Sequence, residues 1–322
     1  MGSTTFSCAD LGAMMSAKGT VTRAILDLIE KNDKVCYINS DGTGTGNAIA
    51  DAMDKYPNRV LDVGIQEQNM VTLAAGLALK GYIPFCQTFG PFLCIRALDQ
   101  IQNDVAYNDV PVRLIGTHAG ITSTYGPTHH TILEFSIMNA MPNMTMVSPS
   151  DANQCIKLIE ASIAYPSPIY IRIPRGEEPN VYEKDYEYVI GKAILTRPGK
   201  DLTIIATGSG VYNSLMAAKI LEKKGYDIRV VDMHTIKPID REAIVSAATE
   251  TNRIVTVEDH NILGGLGSRV ADVIMEEGIS AKVKKIGIND HFVDFGGPDE
   301  LYKHFGWDSE GIAKTVEEFI NI

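Results

Sequence analysis

Residues 60–87 read VLDVGIQEQNMVTLAAGLALKGYIPFCQ, and the fold class follows from this pattern. An apolar run at 60–65 precedes a helical pattern at 68–80, and Gly81 separates that helix from an apolar strand at 83–87. Short β-rich runs that alternate with helices are typical of α/β units on a mainly parallel sheet. The stretch therefore predicts one such unit.

The same alternation continues through the chain in two blocks. The first block has predicted strands at 35–38, 112–116, 144–147 and 169–173 and helices at 21–30, 92–103 and 152–164. A polar, aromatic segment, PNVYEKDYEYVIGK at 179–192, interrupts the pattern. The second block has strands at 202–206, 228–232, 254–257 and 283–286 and helices at 211–223, 240–248 and 266–276. We therefore predict two doubly wound α/β domains with mainly parallel sheets, at 1–178 and 191–322, joined by a linker at 179–190.

Composition excludes several classes of function. The 322 residues are 45% hydrophobic, and 40 acidic against 29 basic residues give a net charge of −11 without a Lys/Arg run, so nucleic acid is not expected as a partner. No apolar stretch reaches the ~18 residues that span a bilayer, and the N-terminus lacks a signal-peptide pattern, so we expect a cytoplasmic protein without membrane contact. The 5 cysteines have no CxxC spacing, which predicts reduced thiols rather than disulfides or a zinc site.

Polar residues concentrate in four loops that follow predicted strands. Ligands of open parallel sheets bind at the carboxyl ends of the strands, so these loops are the candidate functional segments. They are NSDGTGTGN at 39–47, GIQEQNM at 64–70, THAGITSTYGPTHH at 117–130 and IRIPRGEEP at 171–179.

The residues of these loops leave more than one interpretation open. The Gly-rich loop is compatible with a phosphate cradle of backbone N–H groups or with a simple turn. Glu67 fits a helix's first turn, where the helix dipole favours an acid, and its functional interpretation depends on further evidence. His118, His129 and His130 suit sugar hydroxyls and proton transfer better than a metal, because no carboxylate or thiolate lies within their loop. A purely structural role is the alternative for at least one of the three.

Two arginines at the end of a predicted strand also have two interpretations. The guanidinium groups of Arg172 and Arg175 suit recognition of a phosphate or a carboxylate. Alternatively, they form ion pairs with Glu177 or Glu178.

Taken together and in this order, the loops resemble the pyrimidine-binding and C-terminal domains of the transketolase family. The resemblance covers nearly the whole chain. Its most specific stretches are DVGIQEQNMVTLAAGLAL at 62–79, TFGPFLCIRALDQI at 88–101, GPTHHTILEFSIMNAMPNMTMVSPSD at 126–151, VVDMHTIKPID at 230–240 and GGLGSRV at 264–270.

This resemblance implies thiamine diphosphate as the cofactor. Glu67 matches the glutamate that hydrogen-bonds the cofactor's aminopyrimidine, a role that suits a carboxyl group in acid–base chemistry. Phe89 and Phe92 match the aromatic pocket for the pyrimidine ring, and Ile95 stands where many transketolases have another aromatic residue. Asp41 matches an acid near the cofactor and the dimer contact.

The resemblance also implies the substrate-binding residues. His118 and His129 match histidines that contact the substrate's hydroxyls and its reacting carbonyl. Arg23 and Arg175 match the pair that binds the sugar phosphate. Tyr125 is a departure, since ordinary transketolases have an aspartate there that contacts a donor hydroxyl, and the identity of the ketose is therefore left open.

A full-length transketolase has an additional N-terminal domain that binds the diphosphate and Mg2+ (or Ca2+) through Gly-Asp-Gly and a later Asn. This chain does not supply that motif. We expect one subunit of a two-polypeptide enzyme, with the metal held by an N-terminal partner subunit in an α2β2 heterotetramer.

The expected reaction is transfer of a two-carbon ketol unit from a ketose phosphate to an aldose phosphate, as in the pentose phosphate pathway. Three alternatives are deoxyxylulose-phosphate synthesis, the β subunit of a 2-oxo-acid dehydrogenase, and a binding module that has lost the chemistry.

Overall fold

The computed structural model of the protein describes residues 11–41 and 47–322. Residues 42–46 of the Gly-rich loop, for which the sequence leaves a phosphate cradle open, lie outside the described residues, as does Cys8. The predicted fold class is confirmed, since two mainly parallel sheets are each flanked by helices.

A seven-stranded sheet forms the centre of the first half, in the order β12-β6-β7-β5-β4-β2-β3. Its strands are β2 (Val35–Asn39), β3 (Val60–Asp62), β4 (Ile83–Phe89), β5 (Arg113–Thr117), β6 (Thr145–Val147), β7 (Ile169–Arg172) and β12 (Thr235–Lys237). All neighbours are parallel except β12, which pairs antiparallel with β6 and comes from the second half of the chain. The second half therefore supplies an edge strand to the first sheet.

Five α-helices of the first half pack around this sheet. They are α1 (Ala17–Lys31), α2 (Asn47–Lys55), α3 (Glu67–Leu79), α5 (Glu134–Ala140) and α6 (Ala152–Ser162). Helix α1 begins four residues before the predicted helix, because the Ser16 hydroxyl accepts a hydrogen bond from the N–H of Gly19 and caps the N-terminus.

The helix predicted at 92–103 is divided into three pieces. Two π turns, Phe92–Arg96 and Ile101–Ala106, flank the short helix α4 (Leu98–Gln100). Hydrophobic periodicity does not separate a π turn from an α turn over so few residues, because both bring residues four positions apart to the same face.

A five-stranded sheet forms the centre of the second half, in the order β14-β13-β10-β11-β9. Its strands are β9 (Ile194–Arg197), β10 (Leu202–Ala206), β11 (Ile228–Asp232), β13 (Arg253–Asn261) and β14 (Lys282–Ile288). Only β9 is antiparallel to its neighbour. The helices of this half are α7 (Gly210–Glu222), α8 (Arg241–Thr251), α9 (Leu266–Glu276), α10 (Pro298–His304) and α11 (Ser309–Ile320).

A two-stranded antiparallel ribbon, β1 (Met14–Ser16) with β8 (Glu177–Pro179), was not expected from the sequence. Three residues are too few to show an alternating pattern, so only the tertiary pairing reveals these strands. The ribbon brings the start of α1 next to the segment that follows β7.

The segment predicted as a linker packs between the two halves. Tyr182 is fully buried among the apolar residues of the second half, and its hydroxyl donates to Oδ2 of Asp232 over 2.6 Å. Its N–H donates to Oδ2 of Asp151, in the first half, over 2.7 Å. Tyr188 and Ile190 pack against the apolar core of the first half. These contacts tie the halves to one another through the connecting segment.

Within the described residues, Cys36, Cys86, Cys94 and Cys155 are free, buried thiols. Across the same residues, none of the helices combines the length and the apolar character that a membrane crossing requires.

Arg113 at the start of β5 is fully buried, and its guanidinium donates to the carbonyls of Ser162, Tyr165 and Ser167. We expect Arg113→Met to lower the free energy of unfolding by about 3 kcal/mol, because it leaves buried carbonyls without a donor. Urea denaturation measures the change. Arg23→Met removes an exposed arginine of the same half and serves as the control, and an equal loss in both variants would contradict this role of Arg113.

Candidate active site

The carboxyl ends of β4 and β5 bring the candidate residues together. Phe89 is the last residue of β4, His118 follows β5, and Glu67 is the first residue of α3. Adjacent parallel strands end at the same edge of a sheet, so side chains distant in sequence meet there. Gly90 lies between the two phenylalanines, and a Cβ at this position would clash with the carboxyl group of Glu134. Glycine is therefore required where the chain turns from β4 into the helical segment.

Glu67, Arg96, Phe92 and Phe89 form the first part of a continuous column of side chains. Only 2% of Glu67 is exposed, and its Oε2 accepts a hydrogen bond of 2.9 Å from Nη1 of Arg96. The Arg96 guanidinium lies 4.3 Å from the centre of the Phe92 ring, which stacks on Phe89 at 5.5 Å between centroids. A buried carboxylate thus lies beside two half-buried, parallel rings.

The column continues through His118, whose ring stacks on Phe89 at 3.8 Å between centroids. The Thr117 hydroxyl donates to the carbonyl of Thr88 and lies 3.0 Å from Nδ1 of His118. Because its hydrogen is already committed, the hydroxyl can only accept from Nδ1, and we therefore assign the hydrogen of the imidazole to Nδ1. Nε2 is then the ring nitrogen with a free lone pair.

The surroundings of His118 favour the neutral imidazole. Burial is the main cause that lowers its pKa to about 3, and the charges of Lys18, Arg175 and His129 add to this effect. Burial and Arg175 also lower the pKa of Lys18. His118 is therefore neutral at neutral pH and can accept a proton or a hydrogen bond at Nε2.

Tyr125 and Arg175 complete the column. The Tyr125 ring is nearly parallel to that of His118 at 6.1 Å between centroids, and the Arg175 guanidinium lies 4.3 Å from the centre of the Tyr125 ring. Arg175 also donates to the hydroxyls of Tyr125 and Thr124, over 3.1 and 3.2 Å. His129 meets Phe89, Phe92 and Tyr125 edge-on at centroid distances of 6.1, 5.4 and 5.8 Å.

A cavity of about 880 Å³ opens between the two halves of the chain at this column. Phe89, His118, Tyr125, Lys18 and Arg175 line one side of it. The second half contributes the first turns of α7 and α10, including Asn213 and Asp299. The lining is mixed, since Lys18 and Arg175 are basic, Glu177, Glu178 and Asp299 are acidic, and Thr122, Thr124 and Tyr125 carry hydroxyls. Such a lining suits a polar ligand that carries hydroxyl groups and a charged group.

Two family models match the chain. The transketolase pyrimidine-binding domain matches residues 13–180, and the transketolase C-terminal domain matches residues 191–312. The chain belongs to the transketolase family.

Similar proteins include components of split enzymes. The chain is 38% identical over 309 residues to one of the subunits of the apulose-4-phosphate transketolase of Phocaeicola vulgatus, and the match covers 95% of this chain and 98% of the relative. A solved split-gene transketolase, described as an inactive β4 tetramer, is 34% identical with a TM-score of 0.88, and the match covers 95% and 99% of the two chains. The chain is also 36% identical to 1-deoxy-D-xylulose-5-phosphate synthase 1 of Geobacter metallireducens, of which it spans 50%.

The structure gathers most of the site residues that the transketolase resemblance implies. They are Glu67, Phe89, Phe92, His118, His129, Tyr125 and Arg175. Of the three others, Arg23 and Asp41 lie apart from the column, and Ile95 is the neighbour of Arg96 in the turn Phe92–Arg96. Arg23 lines a second cavity, of about 820 Å³, along α1. Asp41 is exposed at the end of β2, where its N–H donates to Asp62, and 49% of Ile95 is exposed.

The sequence revealed neither the position of Lys18 at this candidate site nor the ion-pair partner of Arg172. Lys18 lines the cavity with Arg175 but belongs to no motif, and only the β1–β8 ribbon shows its position. Arg172 does form an ion pair, but its partner is Glu134, at 2.7 Å, rather than Glu177 or Glu178. Among residues 11–41 and 47–322, no three His, Cys, Asp or Glu side chains lie together as metal ligands.

We expect the His118 ring to remain neutral from pH 5 to 8, because its lowered pKa lies below that range. Histidine ring 15N shifts measured by NMR during a pH titration test this. Lys18→Met should raise the pKa of His118, because it removes one of the positive charges that disfavour the imidazolium. The exposed Lys219→Met is the control, and a wild-type His118 that titrates near pH 6.5 would contradict the assignment.

Proposed function

We propose that this chain is the C-terminal subunit of a split transketolase that transfers a two-carbon ketol unit from a ketose phosphate to an aldose phosphate. The observation that carries the proposal is the column from Glu67 to Arg175, in which a buried carboxylate, two stacked phenylalanines, a neutral histidine and a cation follow in order. Each of these groups corresponds to one requirement of the reaction.

The inner part of the column suits the aminopyrimidine of thiamine diphosphate, the cofactor that family membership implies. Glu67 would hydrogen-bond the pyrimidine nitrogen, and Phe89 and Phe92 would pack against the ring. Their half-buried faces and the 2% exposure of Glu67 fit a flat heterocycle with a polar edge. Thiamine diphosphate, when bound, supplies the electron sink that allows the carbon–carbon bond to break.

The histidines are suited to handle the substrate's protons. His118 is neutral with its hydrogen on Nδ1, so Nε2 can accept a hydrogen bond from a substrate hydroxyl or take its proton. His129 contacts the same rings from the side and lies near enough to share this task. His118 lines the cavity, so a ligand bound there can reach its ring.

Lys18 and Arg175 are the better candidates for binding the phosphate. Both line the 880 Å³ cavity with His118. Arg23 lines the neighbouring cavity, which Lys18 also borders, but not the cavity of His118. The charges of both lower the pKa of His118, which indicates that they lie near its ring. We therefore propose the pair Lys18 and Arg175 in place of Arg23 and Arg175.

The proposed assembly includes an N-terminal subunit that holds the diphosphate and Mg2+ (or Ca2+), with two copies of each chain. The names of the relatives support this, because one is a single subunit of a larger transketolase and the other a β4 tetramer that is inactive. Glu67 and Arg96 begin the column at a surface where Arg96 and Ile95 are 45% and 49% exposed. A second chain can therefore reach the cofactor site there.

Deoxyxylulose-phosphate synthesis remains the second candidate. The stretch VEDHNILGGLGS at 257–268 is close to the synthase pattern, and a synthase is among the relatives. The two reactions differ in the donor, since the synthase uses pyruvate and releases carbon dioxide.

The main test reconstitutes the enzyme from this chain, a candidate N-terminal subunit, thiamine diphosphate and Mg2+. We expect ketol transfer from ketose phosphate donors only when both subunits are present, and none from pyruvate. Robust activity of the single chain would refute the split assembly, and products formed from pyruvate would favour the synthase.

Within that complex, Glu67→Ala should reduce turnover below about one hundredth of the wild-type rate, because the acid–base partner of the cofactor is lost. Product formation in steady state measures the loss. Glu242→Ala removes an exposed acid and should have no effect, and near-normal turnover of Glu67→Ala would remove Glu67 from the proposed role.

The proposal that Lys18 rather than Arg23 binds the substrate phosphate is tested by comparing the variants Lys18→Met and Arg23→Met. Loss of a charge-assisted hydrogen bond is worth about 1.5–3 kcal/mol, so Lys18→Met should raise the KM of a phosphorylated donor roughly tenfold to a hundredfold. The KM of the same sugar without phosphate should change little. A larger effect of Arg23→Met would restore Arg23 as the phosphate-binding residue.

A further inference from the structure

The loop that carries the two site histidines has an unfavourable backbone conformation. His118 and Gly120 have φ angles of 62° and 66°, in the left-handed region that is uncommon for residues other than glycine. Such a conformation persists only where surrounding contacts hold it. The contacts of residues 118–121 therefore determine where the His118 ring lies against Phe89.

Two of these contacts come from the first half of the chain. The N–H of Ala119 donates to the carbonyl of Ile173 over 3.2 Å, and the N–H of Gly120 donates to the carbonyl of Thr131 over 2.8 Å. They connect the loop to the segment after β7 and to the residue that follows His130. The next N–H, that of Ile121, has its partner in the second half.

That partner is the carboxylate of Asp259 on β13. The N–H of Ile121 lies 3.1 Å from each of its oxygens. The same carboxylate packs against Gly120, where a Cβ would collide with it. Asp259 therefore fixes the turn by a hydrogen bond at residue 121 and by close packing at residue 120.

Asp259 itself is firmly held. Only 4% of the residue is exposed, and the Tyr302 hydroxyl donates to its Oδ2 over 3.4 Å. Nη2 of Arg172 donates to its carbonyl over 2.6 Å, and Nε of the same guanidinium binds Glu134. Burial raises the pKa of Asp259 to about 6, so the carboxylate is ionised at neutral pH and is a strong acceptor.

We infer that Asp259 is a positioning residue through which the second half of the chain sets the place of His118 in the active site. It acts through Gly120 and Ile121, on the turn that directly follows His118. The contact of Asp259 with Gly120 and Ile121 does not depend on which reaction the protein catalyses. Its expected effect on turnover does rest on the proposed ketol transfer. The C-terminal domain thus contributes to the chemistry without a side chain on the reacting atoms.

Amide hydrogen exchange tests the contact independently of activity. In the complex with the N-terminal subunit, Asp259→Ala should abolish the protection of the Ile121 amide, whereas Asp259→Asn keeps an acceptor oxygen and should retain it. Asp272→Ala removes an exposed acid of the same half and should leave the amide unchanged. Unaltered protection of Ile121 in Asp259→Ala would overturn the inference.

Steady-state kinetics test the consequence for catalysis. A small displacement of a catalytic group lowers turnover by up to roughly a hundredfold, so we expect kcat of Asp259→Ala to fall at least tenfold while the KM for thiamine diphosphate is unchanged. Asp259→Asn should restore kcat to within about threefold of the wild type. An Asp259→Ala enzyme with normal kcat, or one that loses cofactor affinity instead, would overturn the positioning role.

Gly120→Ala tests the same contact by changing the glycine that packs against the Asp259 carboxylate. It can be measured even if the Asp259→Ala chain does not assemble with the N-terminal subunit. The added Cβ should displace the loop and lower kcat, and the effect should be smaller in the Asp259→Ala background, where the colliding carboxylate is gone. Strictly additive effects on kcat would contradict the inference. If the wild-type complex shows no ketol transfer, the proposed function fails, and the exchange experiment still decides the role of Asp259.

Discussion

The buried ion pair between Arg172 and Glu134 is the interaction on which the arrangement of the site depends. Both side chains are almost completely excluded from solvent, and their charged atoms lie 2.7 Å apart. Removing one partner of such a pair typically costs about 3–5 kcal/mol, because the other charge is left buried. Glu134 also accepts from the Tyr170 hydroxyl over 2.8 Å, so each of its oxygens has a donor. The pair therefore has one stable geometry.

That geometry links three parts of the molecule. Glu134 begins α5 and lies against Gly90, which stands between Phe89 and Phe92 in the chain. Arg172 ends β7, contacts the carbonyl of Thr131 next to the histidines, and reaches the carbonyl of Asp259 in the second half. The ring stack, the histidine loop and the C-terminal domain are thus held by one guanidinium. Buried contacts therefore connect these three places.

The apolar and glycine pattern predicted where strands meet helices, and Glu67, Phe89 and Phe92 lie at such junctions. Only the resemblance to the transketolase family singled out these three residues as candidates for a site. Most of the strands and helices of the two sheets were predicted from the same apolar and glycine pattern. The positions of Lys18 and Asp259 depend on pairings between distant segments, such as β1 with β8, and no periodicity records them. The partner of Arg172 was missed likewise, because Glu134 is 38 residues away in sequence.

Buried contacts join the two halves of the chain, and they give the C-terminal domain a structural role at the candidate site. Strand β12 completes the first sheet, Tyr182 bridges Asp151 and Asp232, and Asp259 holds the loop of His118. These contacts are buried, and each joins groups from both halves. Buried polar groups must keep their partners, so the halves cannot separate or rotate without exposing unpaired carboxylates. A domain attached only by a linker would not impose that condition. Both domains therefore hold the histidine loop. The left-handed turn at His118 depends on the two domains keeping their relative position.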